Sequence, residues 1–347
     1  MNREKTNNHY LALAGVVLFA MLSACTRCGS SSEMNDESIP KIDHAERTRI
    51  TMLADSVMSN IMVQNRAESG LVLLADIRTG GLIVDRLWQL DSTNNPAFVS
   101  DNDAKWSTQI PGGLFRPMLL AAMLDDNSLA VNMDTKCNVK WVRLGQETRD
   151  DAHNQFGQPD SATLAESIIK RSNIGLCDIA CRNYANRRED LLNRVKQTVL
   201  PFESVEQVEF DLGCDKSFLN FCMGYEMEMS PLEILAFYNG IANGGMSMTD
   251  VARYRVCSAA TADAIFTLMR DYAEYDEVGR DLSNKTQCAY YQAAIKTSDN
   301  YNQYVIGAFP YESPRYTCMI MLFNTGSPLR PIRLGDYLQQ IANGIDE

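Results

Sequence analysis

Apolar, β-favouring runs gather at the two ends of this chain, and that division constrains the fold more than any other feature. Near the start, Leu71-Val72-Leu73-Leu74-Ala75-Asp76, a turn at Arg78-Thr79-Gly80-Gly81, and Leu82-Ile83-Val84 read as a β-hairpin. Near the end come Tyr291 to Lys296, Tyr304 to Phe309 and Tyr316 to Phe323. Between them, roughly 114 to 275, the patterning is mostly helical. Strands at both ends of a helical centre predict an α+β chain whose antiparallel sheet is assembled from both chain ends and flanked by helices, with a mostly helical central subdomain.

Two further helices are legible. From Ile42 to Asn65, the apolar Ile50, Leu53, Val57, Ile61 and Met62 recur at three- and four-residue steps, and Ser69-Gly70 follows. A closing helix is expected from about Arg333 to Ala342. With 347 residues and 45% apolar composition, the chain has enough material for a large core. Its 32 basic and 44 acidic residues leave a formal charge of -12, which repels phosphate backbones and argues against a nucleic-acid partner.

The first residues carry Arg3 and Lys5, then an apolar run from Leu11 to Leu22, then Leu22-Ser23-Ala24-Cys25. A charged start, a short apolar stretch and small residues make a secretory signal over 1–24, and its end resembles the lipobox of bacterial lipoproteins. That resemblance implies that Cys25 is lipidated and anchors the mature chain to a membrane. An apolar run of about 12 residues is too short to span a bilayer. Residues 25–41 are polar and small, a flexible tether whose reach is roughly 20 Å, leaving 42–347 as the folded part. The expected location is the cell envelope, on the periplasmic side or the cell surface.

Ten cysteines are present, eight of them beyond the tether: Cys137, Cys177, Cys181, Cys214, Cys222, Cys257, Cys288 and Cys318. An oxidising compartment permits pairing among these eight, while buried free thiols are the alternative, and sequence does not assign connectivity. No Cys-x-x-Cys repeat occurs there, and only His44 and His153 lie beyond the signal, so neither a metal nor a cofactor is expected.

One run carries chemical information by what it lacks. Pro111-Gly112-Gly113-Leu114-Phe115-Arg116-Pro117 resembles the Pro-Gly-Ser-Thr-Phe-Lys-Pro stretch that opens the active-site helix of bacterial penicillin-binding transpeptidases. In that family three motifs surround one cleft: Ser-x-x-Lys, Ser-x-Asn and Lys-Thr-Gly. Here the nucleophilic serine falls on Gly113 and its lysine partner on Arg116. Glycine has no side chain to attack a carbonyl, and a guanidinium stays protonated at any ordinary pH. The second motif falls at Arg171-Ser172-Asn173, which keeps the asparagine, and the third at Lys296-Thr297-Ser298, where Ser298 replaces a glycine and would crowd a ligand. Asp76 and Thr79-Gly80 match the family's first hairpin. Gly224-Tyr225, Ser230-Pro231-Leu232-Glu233 and Ala242-Asn243-Gly244-Gly245 resemble its Gly-Tyr-Gly, Thr-Pro-Leu-Gln and Ala-Asn-Gly-Gly series.

Superposing the motifs implies that Arg116, Arg171 and Lys296 converge near a helix N-terminus and form an anion trap, with Asn173, Thr297 and Ser298 beside them. A peptidoglycan stem peptide, which ends in a carboxylate, or a cell-wall protein is then the expected partner of a non-catalytic envelope protein. The competing arrangement has Arg116 and Arg171 pair with acidic neighbours such as Asp125 or Glu166 and plug the cleft. Two other readings stay open: an active D,D-transpeptidase or carboxypeptidase with a non-standard nucleophile, and an interaction scaffold whose cleft is irrelevant. Ser167-Ile168-Ile169-Lys170 fits Ser-x-x-Lys literally, but the helical rhythm aims Ser167 away from the face of Asn173. Ser107 lacks a positioned lysine, and His153 sits in a polar segment.

Overall fold

The computed structural model describes residues 42–99, 104–105, 107–150, 160–199, 211–248, 253–276, 287–297, 300–326 and 332–346. Residues 1–41, which hold the expected leader, Cys25 and the expected tether, lie outside the described residues, as do His153 and Ser298.

Helix α1 (His44–Asn65) starts where Asp43 accepts the N–H of Glu46 at 2.7 Å, and it ends at Arg66, which adopts a left-handed conformation with φ 52°. It buries Ile50, Ala54, Val57, Met58, Ile61 and Met62. Strand β1 (Ser69–Asp76) is buried from Gly70 onward, whereas β2 (Leu82–Leu90) and β3 (Pro96–Val99) are only partly covered. The β1–β2 turn is set by Asp76, whose Oδ1 accepts from the N–H groups of Arg78 and Thr79 at 3.0 and 2.9 Å. The second strand runs beyond the expected Val84 to Leu90, because β3 pairs with its far half.

Then follow a 3₁₀ turn (Gly112–Phe115), α2 (Arg116–Leu124), β4 (Lys136–Asn138), β5 (Trp141–Leu144), β6 (Glu147–Asp150), β7 (Ser161–Thr163), α3 (Leu164–Ile169), α4 (Gly175–Tyr184), α5 (Arg188–Val199), α6 (Asp215–Cys222), α7 (Pro231–Ala242), β8 (Met246–Met248), β9 (Arg253–Arg255) and α8 (Ala259–Asp276). The centre is helical, with three two-stranded ladders, β4–β7, β5–β6 and β8–β9, which the periodicity did not reveal because each strand spans only three or four residues. Both α3 and α7 begin with a capping box, Thr163 with Glu166 and Ser230 with Glu233.

The chain closes with β10 (Ala289–Lys296), β11 (Tyr301–Phe309), β12 (Tyr316–Thr325) and α9 (Leu334–Asp346). These join the first strands in one six-stranded antiparallel sheet of order β10-β11-β12-β1-β2-β3, so the two ends meet at the β12–β1 pairing, with Leu73 opposite Met319. Most of β1 and β12 is buried on both sides, since α1 and α9 pack together on one face and α7 with α8 on the other. Each fully buried aliphatic side chain there contributes about 1.5–3 kcal/mol. Arg49 bonds the terminal carbonyls of α9, Gly344 at 2.7 Å and Ile345 at 2.9 Å, tying the last helix to the first. Among the described residues no helix is long and apolar enough to cross a membrane.

Candidate active site

Gly112 and Gly224 fix the start of the site. Gly112 has φ +50°, and a Cβ there would meet the Ile295 side chain at 2.7 Å. Its N–H donates to the carbonyl of Gly224 at 3.1 Å. Gly224 has φ +81°, and a Cβ there would stand 2.3 Å from the Gly112 oxygen. Only glycine permits this backbone-on-backbone contact. From the sheet side, Tyr238 of α7 donates its hydroxyl to the Leu114 carbonyl at 2.9 Å, and Phe115 packs edge-on against Phe221 at 5.4 Å. Burial, with the neighbouring Tyr291 adding and Arg116 opposing, pushes the Tyr238 hydroxyl well above its ordinary value and keeps it neutral.

Arg116 enters the space beside this turn. Its side chain is nearly inaccessible, at 7% exposure. Nη1 donates to the Tyr291 hydroxyl at 3.1 Å, and Nη2 donates to Asn173 Oδ1. The Tyr291 hydroxyl in turn donates to the carbonyl of Ile168 at 3.1 Å. A Cβ on Gly113 would lie 3.4 Å from Arg116 Nη1 and 3.1 Å from the Cβ of Ala293. The guanidinium therefore occupies the space into which a side chain on Gly113 would project, and it closes the gap between β10 and the loop that carries Asn173.

That loop joins α3 to α4. Ser172 is spent on local structure, its Oγ accepting from the N–H groups of Ile174 and Gly175 at 3.1 and 3.2 Å. Arg171 adopts φ +60°, uncommon for a side chain of its size. Its Nη2 lies 3.9 Å from Asp276 Oδ1, and its guanidinium sits 5.9 Å from the centre of the Tyr272 ring. Asp276 also accepts from Tyr290 at 3.0 Å and from Gln292 at 3.4 Å. The expected acidic neighbours are not the ones used. Asp125 accepts from Ser258 N–H and Oγ at 2.7 and 2.8 Å, and Glu166 caps α3 through the Thr163 N–H at 2.8 Å. Asp276 stands at the end of α8, far away in sequence, which is why proximity along the chain pointed elsewhere.

The expected convergence of three cations is corrected at Lys296. Along β10, Tyr291, Ala293 and Ile295 face the 3₁₀ turn, since Ala293 and Ile295 are the atoms that Gly113 and Gly112 abut. Successive strand residues point to opposite sides, so Lys296 points away from that turn, and it is exposed at the strand end. Thr297 closes the hairpin, donating its N–H to Asn300 at 2.9 Å. The strand residue that meets Arg116 is Tyr291, five positions earlier, which the motif reading missed. Two positions after Tyr291, Ala293 is the small residue at the close approach to Gly113. That small residue, two places after a residue facing the turn, is the signal in the sequence.

Arg116, Asn173 and Tyr291 thus come together, Arg171 turns to Asp276, and Lys296 stands apart. Ser167 is fully buried and donates to its own helix, to Leu164 O at 2.7 Å, so it is no relocated nucleophile. Ser107 is exposed. The assembled groups donate and accept hydrogen bonds, but among them no hydroxyl stands beside a base able to accept its proton.

A family model, the penicillin binding protein transpeptidase domain, matches residues 70–334. Among curated proteins none matches the chain. Solved structures share the fold. A peptidoglycan synthetase from Bifidobacterium adolescentis superposes with a TM-score of 0.68 at 15% identity, over 85% of this chain and 59% of that one, so the chain spans less than two thirds of that protein's length. A peptidoglycan glycosyltransferase from Burkholderia ambifaria gives 0.65 at 18% identity, over 85% of this chain and 94% of that one. The transpeptidase domain of Burkholderia pseudomallei penicillin-binding protein 3 gives 0.60 at 16% identity, over 86% and 91%.

Proposed function

This chain belongs to the family of penicillin binding protein transpeptidase domains, and on that footing we propose that it is a non-catalytic member, held at the cell envelope by a lipid on Cys25, that acts by binding a protein of the cell-wall machinery. The observation that carries this reading is the buried Arg116 guanidinium. It fills the space beside Gly113 and is hydrogen-bonded to Tyr291 and Asn173. A guanidinium so placed neither attacks a carbonyl nor relays a proton. The same bonds, with Arg171 drawn to Asp276, spend cationic groups that would otherwise receive a carboxylate. That favours a protein partner over a peptidoglycan stem peptide. The exposed Lys296 supports the second reading, in which a stem-peptide carboxylate docks at the outer end of β10.

Calorimetry with an acyl-D-alanyl-D-alanine peptide separates these readings, with released D-alanine assayed in the same sample. Neither heat nor D-alanine is expected. Heat without D-alanine moves the reading to a stem-peptide binder, and D-alanine above the buffer rate revives the alternative of an enzyme with a non-standard nucleophile. Anchoring is tested by labelled palmitate, which should be incorporated by the wild type and lost in Cys25→Ser; incorporation by the variant refutes the anchor.

A further inference from the structure

A groove of about 620 Å³ opens between the end of α2, α5, the end of β9 and the first turn of α8, and none of Arg116, Asn173 and Tyr291 lines it. Its volume falls within the range of roughly 300–1,000 Å³ usual for ligand sites. The buried part of its lining is largely apolar, Ala122, Val256 and Cys257, together with Thr198, whose hydroxyl is spent on the Arg194 carbonyl at 3.0 Å. The rim is polar. Arg194 reaches it from α5 and Arg255 from β9, and the exposed amides of Asn127 and Gln197 stand on it as well.

The two guanidinium groups have donors to spare. Arg255 makes one bond among the described residues, from Nη1 to the carbonyl of Cys257 at 3.3 Å, and no ion pair there. Arg194 turns Nη2 to Asp126 Oδ1 at 3.0 Å, but that carboxylate also serves Arg187 at 3.4 Å and accepts from Ser128 and Tyr184. A guanidinium carries five N–H donors, so most of those on Arg194 and Arg255 remain for a ligand. The carboxylate on the lining, Asp125, does not take them. Its two oxygens accept from the N–H and hydroxyl of Ser258 at 2.7 and 2.8 Å and from the Thr261 hydroxyl, which fixes it to the start of α8. A chain with a formal charge of -12 thus exposes, at this groove, guanidinium donors in excess of carboxylate acceptors.

We propose that this groove binds an extended acidic peptide segment of a partner protein, whose carboxylates are received by Arg194 and Arg255 and whose intervening apolar side chain rests on Ala122, Val256 and Cys257. Charge complementarity selects the acid, since charge-assisted bonds from a guanidinium to a carboxylate are the strongest hydrogen bonds such a rim can make. The apolar floor and the two amides select a peptide over a small anion. Asn127 and Gln197 each offer a donor and an acceptor, which is what a peptide backbone requires, whereas a small anion would use the guanidinium groups alone. The inference rests on the reading of a protein partner and names that partner's chemistry; it assigns the contact to a surface other than the cleft filled by Arg116.

The test is fluorescence anisotropy of the full chain with a dye-labelled, end-capped peptide Glu-Leu-Glu-Leu-Glu. Saturable binding is expected, and the Gln-Leu-Gln-Leu-Gln counterpart should bind about tenfold more weakly or worse. Arg255→Gln removes an exposed charge that has no ion pair among the described residues, and it should weaken the acidic peptide about tenfold. Ala260→Tyr places a ring in the groove from the exposed first turn of α8 and should abolish binding. Both variants should melt at the wild-type temperature. No saturable binding, equal binding of the two peptides, or full binding by either variant would overturn the proposal. Displacement by free glutamate at equal concentration would also overturn it, because the site would then be one for a small anion. Release of D-alanine from the acyl-D-alanyl-D-alanine peptide would refute the non-catalytic reading without altering this titration, whereas a failed titration refutes the groove alone.

Discussion

Arg116 donates from Nη1 to the hydroxyl of Tyr291 at 3.1 Å, joining the start of α2 to the edge strand β10. The tyrosine passes the link on to Ile168, so α2, β10 and α3 are stitched together by side chains. Arg116 thus packs between α2, β10 and the loop that carries Asn173.

Arg116→Ala should therefore cost stability. It removes the buried donors used by Tyr291 and Asn173, and about 2–4 kcal/mol is expected from urea unfolding. Arg116→Lys should fall between the variant and the wild type, because one ammonium does not reproduce a fork that serves two acceptors in different directions. A neutral Arg116→Ala would mean that the guanidinium is not structural.

Gly224→Ala should be worse. The new Cβ would lie 2.3 Å from the Gly112 oxygen and 2.8 Å from the Phe115 Cβ, at a backbone with φ +81°. A loss of about 3 kcal/mol or more is expected in thermal or urea unfolding, whereas Gly244→Ala, with open space around its Cβ, should lose only the cost of its own φ.

Acid sensitivity should trace in part to Asp126, a buried carboxylate at the end of α2. Burial alone would raise its pKa, but bonds from Ser128 and Tyr184, with Arg194 nearby, hold it below the ordinary value. A folded-state pKa below the unfolded one gives stability that is complete above the unfolded value of about 4 and is lost as pH falls through the folded value. Asp126→Asn should flatten that acid limb. It should also cost about 1–3 kcal/mol at neutral pH, since the partly solvated Arg194 at 3.0 Å and Arg187 at 3.4 Å lose this carboxylate, Arg187 keeping Asp190 at 4.0 Å. An unchanged acid limb would show that other carboxylates set it.

Much of this fold was legible because long elements carry their own period. Ile50, Val57 and Ile61 mark a helix, and the runs at Leu71, Tyr304 and Tyr316 mark central strands that are apolar throughout because both faces are covered. The short ladders, such as Lys136–Asn138 on Ser161–Thr163, have too few residues for any period. At the site, Gly113, Arg116 and Asn173 were found because they keep their places in local frames. Lys296 was misleading because Lys-Thr is a short pattern, and only the two-residue alternation anchored by Ala293 and Ile295 tells which side of β10 faces the turn. Asp276 as the partner of Arg171 was beyond reach, being a contact between segments far apart in sequence.

Gly113→Ser should restore a hydroxyl without restoring chemistry. Its Cβ is expected to crowd Ala293 at 3.1 Å and lower stability by about 1–3 kcal/mol, and its oxygen would stand beside a guanidinium that takes no proton. Acylation of this single variant by a β-lactam would show that Arg116 is not the block.

The central claim, that nothing at the start of α2 captures an acyl group, is tested most directly by intact-protein mass spectrometry of the wild-type chain after prolonged incubation with excess benzylpenicillin. An unshifted mass is predicted, under conditions that fully label an active transpeptidase. A mass increased by one penicilloyl group, mapped to a single residue of this chain, would contradict the account.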